Sequence, residues 1–217
     1  MQNKEKIGIP SNLWTITDRN YKNQPFFVRH NVLNQEEMYS LNKALESYKR
    51  LQQDATTERS LKSQYNSGEM FDYRRTKVSF LDYTDNNLEW FYRKITDIVD
   101  HANYSNYKFN LTAIESLQLG IYKSEDKGEY KLHQDDYITR NASNFVRKLS
   151  FSFLLTEPEK DFKGGDLEFY TAEPPQKPSI AKNSIILFPS FIPHKVTPVT
   201  YGERRSIVGW VNGPNWV

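Results

Sequence analysis

The chain contains no cysteine. Disulfide frameworks, zinc–thiolate sites and cysteine nucleophiles are therefore excluded. It has no run of about 18 apolar residues, so no helical membrane span is expected. Met1 to Pro10 hold no apolar segment of the signal-peptide kind, and we expect a soluble, cytoplasmic protein with no membrane partner. Charge of one sign is also missing: 29 basic residues face 27 acidic ones, for a net charge of +2. Nothing in that balance attracts a polyanion, and no nucleic-acid partner is expected. Hydrophobic residues make up only 37% of the chain and mean hydropathy is −0.76, but aromatics reach 14%. Each aromatic buries a large area, so a packed core remains within reach. At 217 residues the chain fits one domain, 1–217.

Taken in order, residues 1–25 read as a polar, irregular arm with Pro10 and Pro25 as breakers. Phe26-Phe27-Val28 reads as a first strand. Asn34, with Glu37 at the third helical position, predicts a capped helix start. Met38, Leu41, Leu45 and Tyr48 continue one face to about Leu51. Residues 53–76 are polar around Gly68 and read as a long loop, either a covering segment near a site or mobile chain. A second helix is expected from Asn86 to Ala102, with Leu88, Phe91, Ile95, Ile98 and Val99 on one face. From about 111 the pattern changes to short strands: Ile114–Tyr122, Val146–Leu155, Asp166–Tyr170, Ser184–Phe188, His194–Val199 and Arg205–Val211. Gly, Pro and Asn punctuate them, with Lys163-Gly164-Gly165-Asp166 as a turn. Many short strands at such spacing predict a sandwich or barrel, so 1–110 is read as helical support and 111–217 as the β core.

With four histidines in the chain, the search for metal ligands is short. His30 reads as surface polar. His101 falls in the last turn of the second helix, where partial positive charge is favourable. His133 and Asp135 lie two apart in Tyr130-Lys131-Leu132-His133-Gln134-Asp135-Asp136. On an extended strand both would leave one face and meet a single ion. Asp136 is a competitor for the carboxylate, and the spacing favours Asp135. His194, following Pro193, can supply a second imidazole from another strand. Two His and one carboxylate suit divalent iron with open positions for a bidentate cosubstrate and dioxygen. Arg204 and Ser206 share one face of a later strand and could hold the far carboxylate of a dicarboxylate, while Arg205 points the other way.

The segments Tyr122 with Gly128 and Tyr130, His133-Gln134-Asp135, Lys148 through Leu155, and Phe162 through Leu167 carry a resemblance. It continues through Leu187-Phe188-Pro189-Ser190, His194 through Val199, and Arg204-Arg205-Ser206 to Trp210. Together they resemble the iron(II)- and 2-oxoglutarate-dependent dioxygenases of the prolyl 4-hydroxylase type. The resemblance implies an α+β, mainly β fold: a double-stranded β-helix, or jelly-roll barrel, with supporting helices on one side. It implies His133, Asp135 and His194 as iron ligands and Arg204 on the distal carboxylate of 2-oxoglutarate. Tyr122 matches a cosubstrate-contacting tyrosine and Ser206 a further contact, whereas Leu154 stands where some relatives place a second tyrosine. Fe(II), 2-oxoglutarate and O2 are then the expected cofactors, with ascorbate as a candidate reductant.

The expected reaction couples oxidative decarboxylation of 2-oxoglutarate, to succinate and CO2, with hydroxylation of an unactivated C–H. A prolyl residue in a peptide or protein is the expected target, and a free amino acid or other small molecule is the alternative. Nucleic-acid demethylation is disfavoured because Trp210 stands where such relatives carry a second arginine. A non-catalytic jelly-roll module with a vestigial metal site, and a zinc hydrolase without an evident general base, are the rivals from other classes. Substrate contacts are expected from 53–76 and from Tyr137 to Phe145.

Overall fold

The computed structural model describes residues 25–55, 73–136 and 145–216. The arm at 1–24, most of the polar stretch at 53–76, and nearly all of the segment from Tyr137 to Phe145 lie outside the described residues. Two sheets organise the fold, and every ladder between their strands is antiparallel. The larger orders β1 (Phe27–Arg29), β11 (Ile185–Pro189), β8 (Phe145–Leu154), β13 (Val199–Pro214), β6 (Gln118–Lys123), β4 (Lys77–Phe80) and β2 (Gln53–Asp54). Strands β5 (Ala113–Ile114) and β9 (Phe162–Gly164) add to β13. The smaller sheet runs β10 (Leu167–Phe169), β12 (His194–Val196), β7 (Glu129–His133) and β3 (Arg74–Arg75). This is a double-stranded β-helix.

Strand alternation builds two cores. On β11, Ile185 and Leu187 face one apolar cluster while Ile186 and Phe188 face the other. On β8 and β6, Leu149, Phe151, Phe153, Leu119 and Ile121 take the first side, and Leu154 and Tyr122 the second. The first cluster is closed by helices α1 (Gln35–Lys49) and α2 (Glu89–Ala102) through Leu41, Leu45, Phe91, Ile95 and Ile98. The second joins the larger sheet to Leu167, Phe169 and Val196 of the smaller one. Because helices cover one face and a sheet the other, these strands are nearly continuous apolar runs. Where they turn polar inward, at Ser150, Ser152 and Ser206, the side chains are still buried.

The capping box of α1 forms as expected: the Asn34 side-chain oxygen accepts from the Glu37 N–H at 2.9 Å, and the Glu37 carboxylate accepts from the Asn34 N–H at 2.9 Å. Helix α2 starts at Glu89, later than the sequence suggests. Asp85 diverts the preceding residues into a turn, its carboxylate accepting from the Asn87 N–H at 2.9 Å and its carbonyl from the Leu88 N–H at 2.8 Å. In the C-terminal half, the expected strands His194–Val199 and Arg205–Val211 divide differently. β12 ends at Val196 and one strand, β13, runs from Val199 to Pro214. Pro198 has no N–H to offer a ladder, which places the corner before Val199. Strands β2 and β3 occupy the two ends of the stretch read as a loop; at two residues each they are too short to show a period.

Candidate active site

β7 and β12 pair so that His133 stands opposite His194, with ring centroids 4.2 Å apart. Both histidines are oriented by the same device. The His133 Nδ1–H donates to the Lys131 carbonyl at 2.7 Å, and the His194 Nδ1–H donates to the Ile192 carbonyl at 2.9 Å. A carbonyl can only accept, so these bonds fix the tautomer and leave each Nε2 with a lone pair for a metal.

Asp135 arrives by another route than the strand alternation predicts. β7 ends at His133, and Asp135 lies in a bend beyond it. Its N–H donates to the Ser190 carbonyl at 2.9 Å, and that of Asp136 to the same oxygen at 3.1 Å. The bend brings one carboxylate oxygen 3.7 Å from His133 Nε2 and the other 3.6 Å from His194 Nε2. One donor atom from each of the three residues lies within 4.8 Å of the others. A first-row divalent ion needs donors about 2.1 Å away, so small side-chain movements suffice to grip one. Two neutral imidazoles and one carboxylate are the donor set that suits iron(II) with positions left open.

The electrostatics agree with this use. Burial, reinforced by the neighbouring His194, pushes the His133 imidazole down to about 3 and keeps it uncharged, against the attraction of Asp135. Burial alone would raise Asp135, but His194 and His133, the Ser150 hydroxyl and Arg147 outweigh it and hold the carboxyl ionised. His133 and Asp135 are therefore in their ligating forms at neutral pH, before any ion binds.

Across the cavity, on β13, Arg204 is 3% exposed. It sits opposite Tyr122 of β6 in register, its guanidinium carbon 5.5 Å from that ring, and its Nη1 donates to Ser206 Oγ at 2.9 Å. Among the described residues no carboxylate forms an ion pair with it. A buried guanidinium without an anion is costly, and here the cavity it lines with Tyr122 and Ser206 also holds the three metal-type donors.

The structure thus brings together His133, Asp135, His194, Arg204, Tyr122 and Ser206. It leaves His30 outside, hydrogen-bonded to Ser184 at 2.9 Å, and His101 exposed at the end of α2. Leu154 is buried in the inter-sheet core. Sequence reasoning missed Arg74, which lines the same cavity from β3. It also missed Ser190 as the anchor of the Asp135 bend. Arg74 lies beside a second arginine in a polar stretch, and nothing local marks it as buried.

Residues 117–212 match the family model described as the 2OG-Fe(II) oxygenase superfamily. Curated relatives include a PKHD-type hydroxylase of Synechococcus sp. (strain JA-2-3B'a(2-13)), 33% identical over 124 residues, which are 55% of this chain and 54% of that protein. A PKHD-type hydroxylase of Gloeothece citriformis (strain PCC 7424) is 40% identical over 123 residues, 54% of each. The chain spans about half the length of the curated relatives it matches. Among solved structures, a prolyl-4-hydroxylase of Pseudomonas putida superposes with a TM-score of 0.66 at 16% identity, over 87% of this chain and 92% of that one. A Trichoplax adhaerens prolyl hydroxylase, in complex with a hypoxia inducible factor oxygen degradation domain peptide fragment, gives 0.66 at 19% identity over 86% and 83%. Residues 117–212 thus match the 2OG-Fe(II) oxygenase superfamily, and the chain shares its fold with prolyl hydroxylases.

Proposed function

We propose that His133, Asp135 and His194 hold Fe(II), and that Arg204, with Ser206 and Tyr122, holds the far carboxylate of 2-oxoglutarate. In this reading residues 1–217 work as one oxygenase domain that hydroxylates a prolyl residue in a peptide or protein. When bound, the iron and 2-oxoglutarate together with O2 supply the oxidising power for an unactivated C–H, with succinate and CO2 as co-products. The protein's own part is placement. The Lys131 and Ile192 carbonyls keep both Nε2 atoms facing Asp135. Arg204 offers a planar fork, steadied by Ser206, that matches a carboxylate in two bonds. The surrounding apolar residues, Phe188 and Val196 among them, limit water at the reacting centre.

The observation that carries the reading is the pairing of two features across one cavity: three converging metal-type donors, and a buried guanidinium with no carboxylate partner among the described residues. The peptide target is supported by the fold shared with prolyl hydroxylases, one of them holding a peptide fragment. The test is succinate formation by Fe(II)-loaded protein with 2-oxoglutarate. Alanine at His133, Asp135 or His194 should abolish it, a larger loss than the ~10–100-fold typical of removing a ligand's outer-shell partner, while alanine at His101 should leave it intact. Equal succinate from all four variants refutes the assignment. Peptide-array hydroxylation by the wild type then separates prolyl peptides from small molecules.

A further inference from the structure

We propose that Arg74 is a second anion anchor in the cavity, and that the substrate carries a carboxylate close to the carbon that reacts. This rests on the oxygenase reading and deepens it. Arg74 is 8% exposed, on β3 of the smaller sheet. Its Nη2 donates to the neutral Gln118 side chain at 2.8 Å, and its Nε has no hydrogen-bond partner. The guanidinium carbon lies 4.5 Å from the centre of the Tyr130 ring, and that ring stacks on His133 at 3.5 Å. Arg74 is therefore one aromatic ring away from a metal-type ligand, with unused donor capacity.

Two other arginines of the β-sheets have carboxylate partners: Arg75 pairs with Glu129, and Arg147 with Glu115 through Nη2 at 2.7 Å. Arg74 and Arg204 line the cavity and, among the described residues, pair with none. Charge bookkeeping shows why one guanidinium is left over. The two charges of a divalent iron are offset by the two carboxylates of 2-oxoglutarate. Asp135 offsets one of the two arginines. One positive charge then remains in a cavity whose buried walls screen it poorly. Tyr130 contributes attraction to the guanidinium through its ring face, but a ring does not neutralise a charge. A carboxylate of the substrate does, with charge-assisted bonds to the free edge of the guanidinium. That carboxylate belongs either to a free amino or imino acid or to an acidic residue beside the target in a peptide.

The test uses full-length protein loaded with Zn(II) and 2-oxoglutarate, which fills the metal site and Arg204 without turnover, and measures binding by calorimetry. One arm compares L-proline with L-prolinamide. The other compares a short peptide in which Asp flanks a proline with the same peptide carrying Asn. In at least one arm the acid should bind about tenfold or more tightly than its neutral partner, the scale of a charged hydrogen bond. Arg74→Gln should reduce that preference to about twofold or less, and Arg74→Lys should leave an intermediate value. The first arm alone points to a free acid, the second to a peptide. No preference in either arm, absence of binding included, overturns the proposal, as does a preference that survives Arg74→Gln. If Arg74→Gln does not fold, judged by thermal melting, Arg74→Lys decides: an undiminished preference overturns it. Succinate formation by the iron-loaded wild type reports separately on the oxygenase reading, so the two can fail independently.

Discussion

At the scale of single residues, the site depends on positions whose side chains never touch a ligand. Gly165 has φ +63, and a Cβ there would lie 2.8 Å from Arg204 Cδ and 3.0 Å from Val199 Cγ2. Glycine is needed twice over, for the left-handed backbone and to leave room for the arginine stem. Gly165→Ala should cost about 1 kcal/mol or more in stability and weaken 2-oxoglutarate binding several-fold by shifting Arg204. Titrating the visible band of the iron–2-oxoglutarate complex measures this, and unchanged affinity would show that Arg204 tolerates the displacement. Asp135 teaches a related lesson. The His-x-Asp spacing was legible, but the reason given by strand alternation was incomplete. What aims the carboxylate is the Ser190 carbonyl holding the bend after β7, a contact between segments distant in sequence.

At the scale of elements, helices were easier to read than strand boundaries. The Asn34–Glu37 capping box and the apolar faces of α1 and α2 are local patterns, and each face is buried as its spacing predicts. Strands β2 and β3 show no comparable signal, and β13 hides its length behind Gly202 and polar outward residues. The helices matter to the site by backing the larger sheet. Phe153 of β8 is fully buried and packs on Phe91 of α2 with centroids 5.5 Å apart. Phe153→Ala should cost about 3–5 kcal/mol, and Asn34→Ala only about 1 kcal/mol, both read from urea denaturation midpoints. A smaller loss at Phe153 than at Asn34 would mean that the helix–sheet layer is not what holds the sheet.

At the scale of the whole molecule, a buried imidazole held uncharged makes stability depend on pH. His133 is held down to about 3 in the folded protein, against about 6.5 in an unfolded chain. Between those values the unfolded state binds a proton that the folded state refuses, so stability falls as pH drops below about 6.5. The slope from this group approaches about 1.4 kcal/mol per pH unit. Asp135, lowered by its two imidazoles, adds a loss in the same direction below about 4. Metal-free protein should therefore show a denaturation midpoint that falls from pH 7 to pH 5, and His133→Gln should flatten that fall. A midpoint equally steep in the variant would assign the dependence to other groups.

The sequence by itself determined the β-rich class, the two helices, the histidine–carboxylate set and the arginine that faces it. Each is written in spacing, capping residues or a short list of candidate side chains. Only the tertiary structure decided that Ser190 places Asp135, that both histidines present Nε2, and that Arg74 enters the cavity. These are contacts across sheets and bends, and they depend on which strands become neighbours when both faces of the larger sheet are buried.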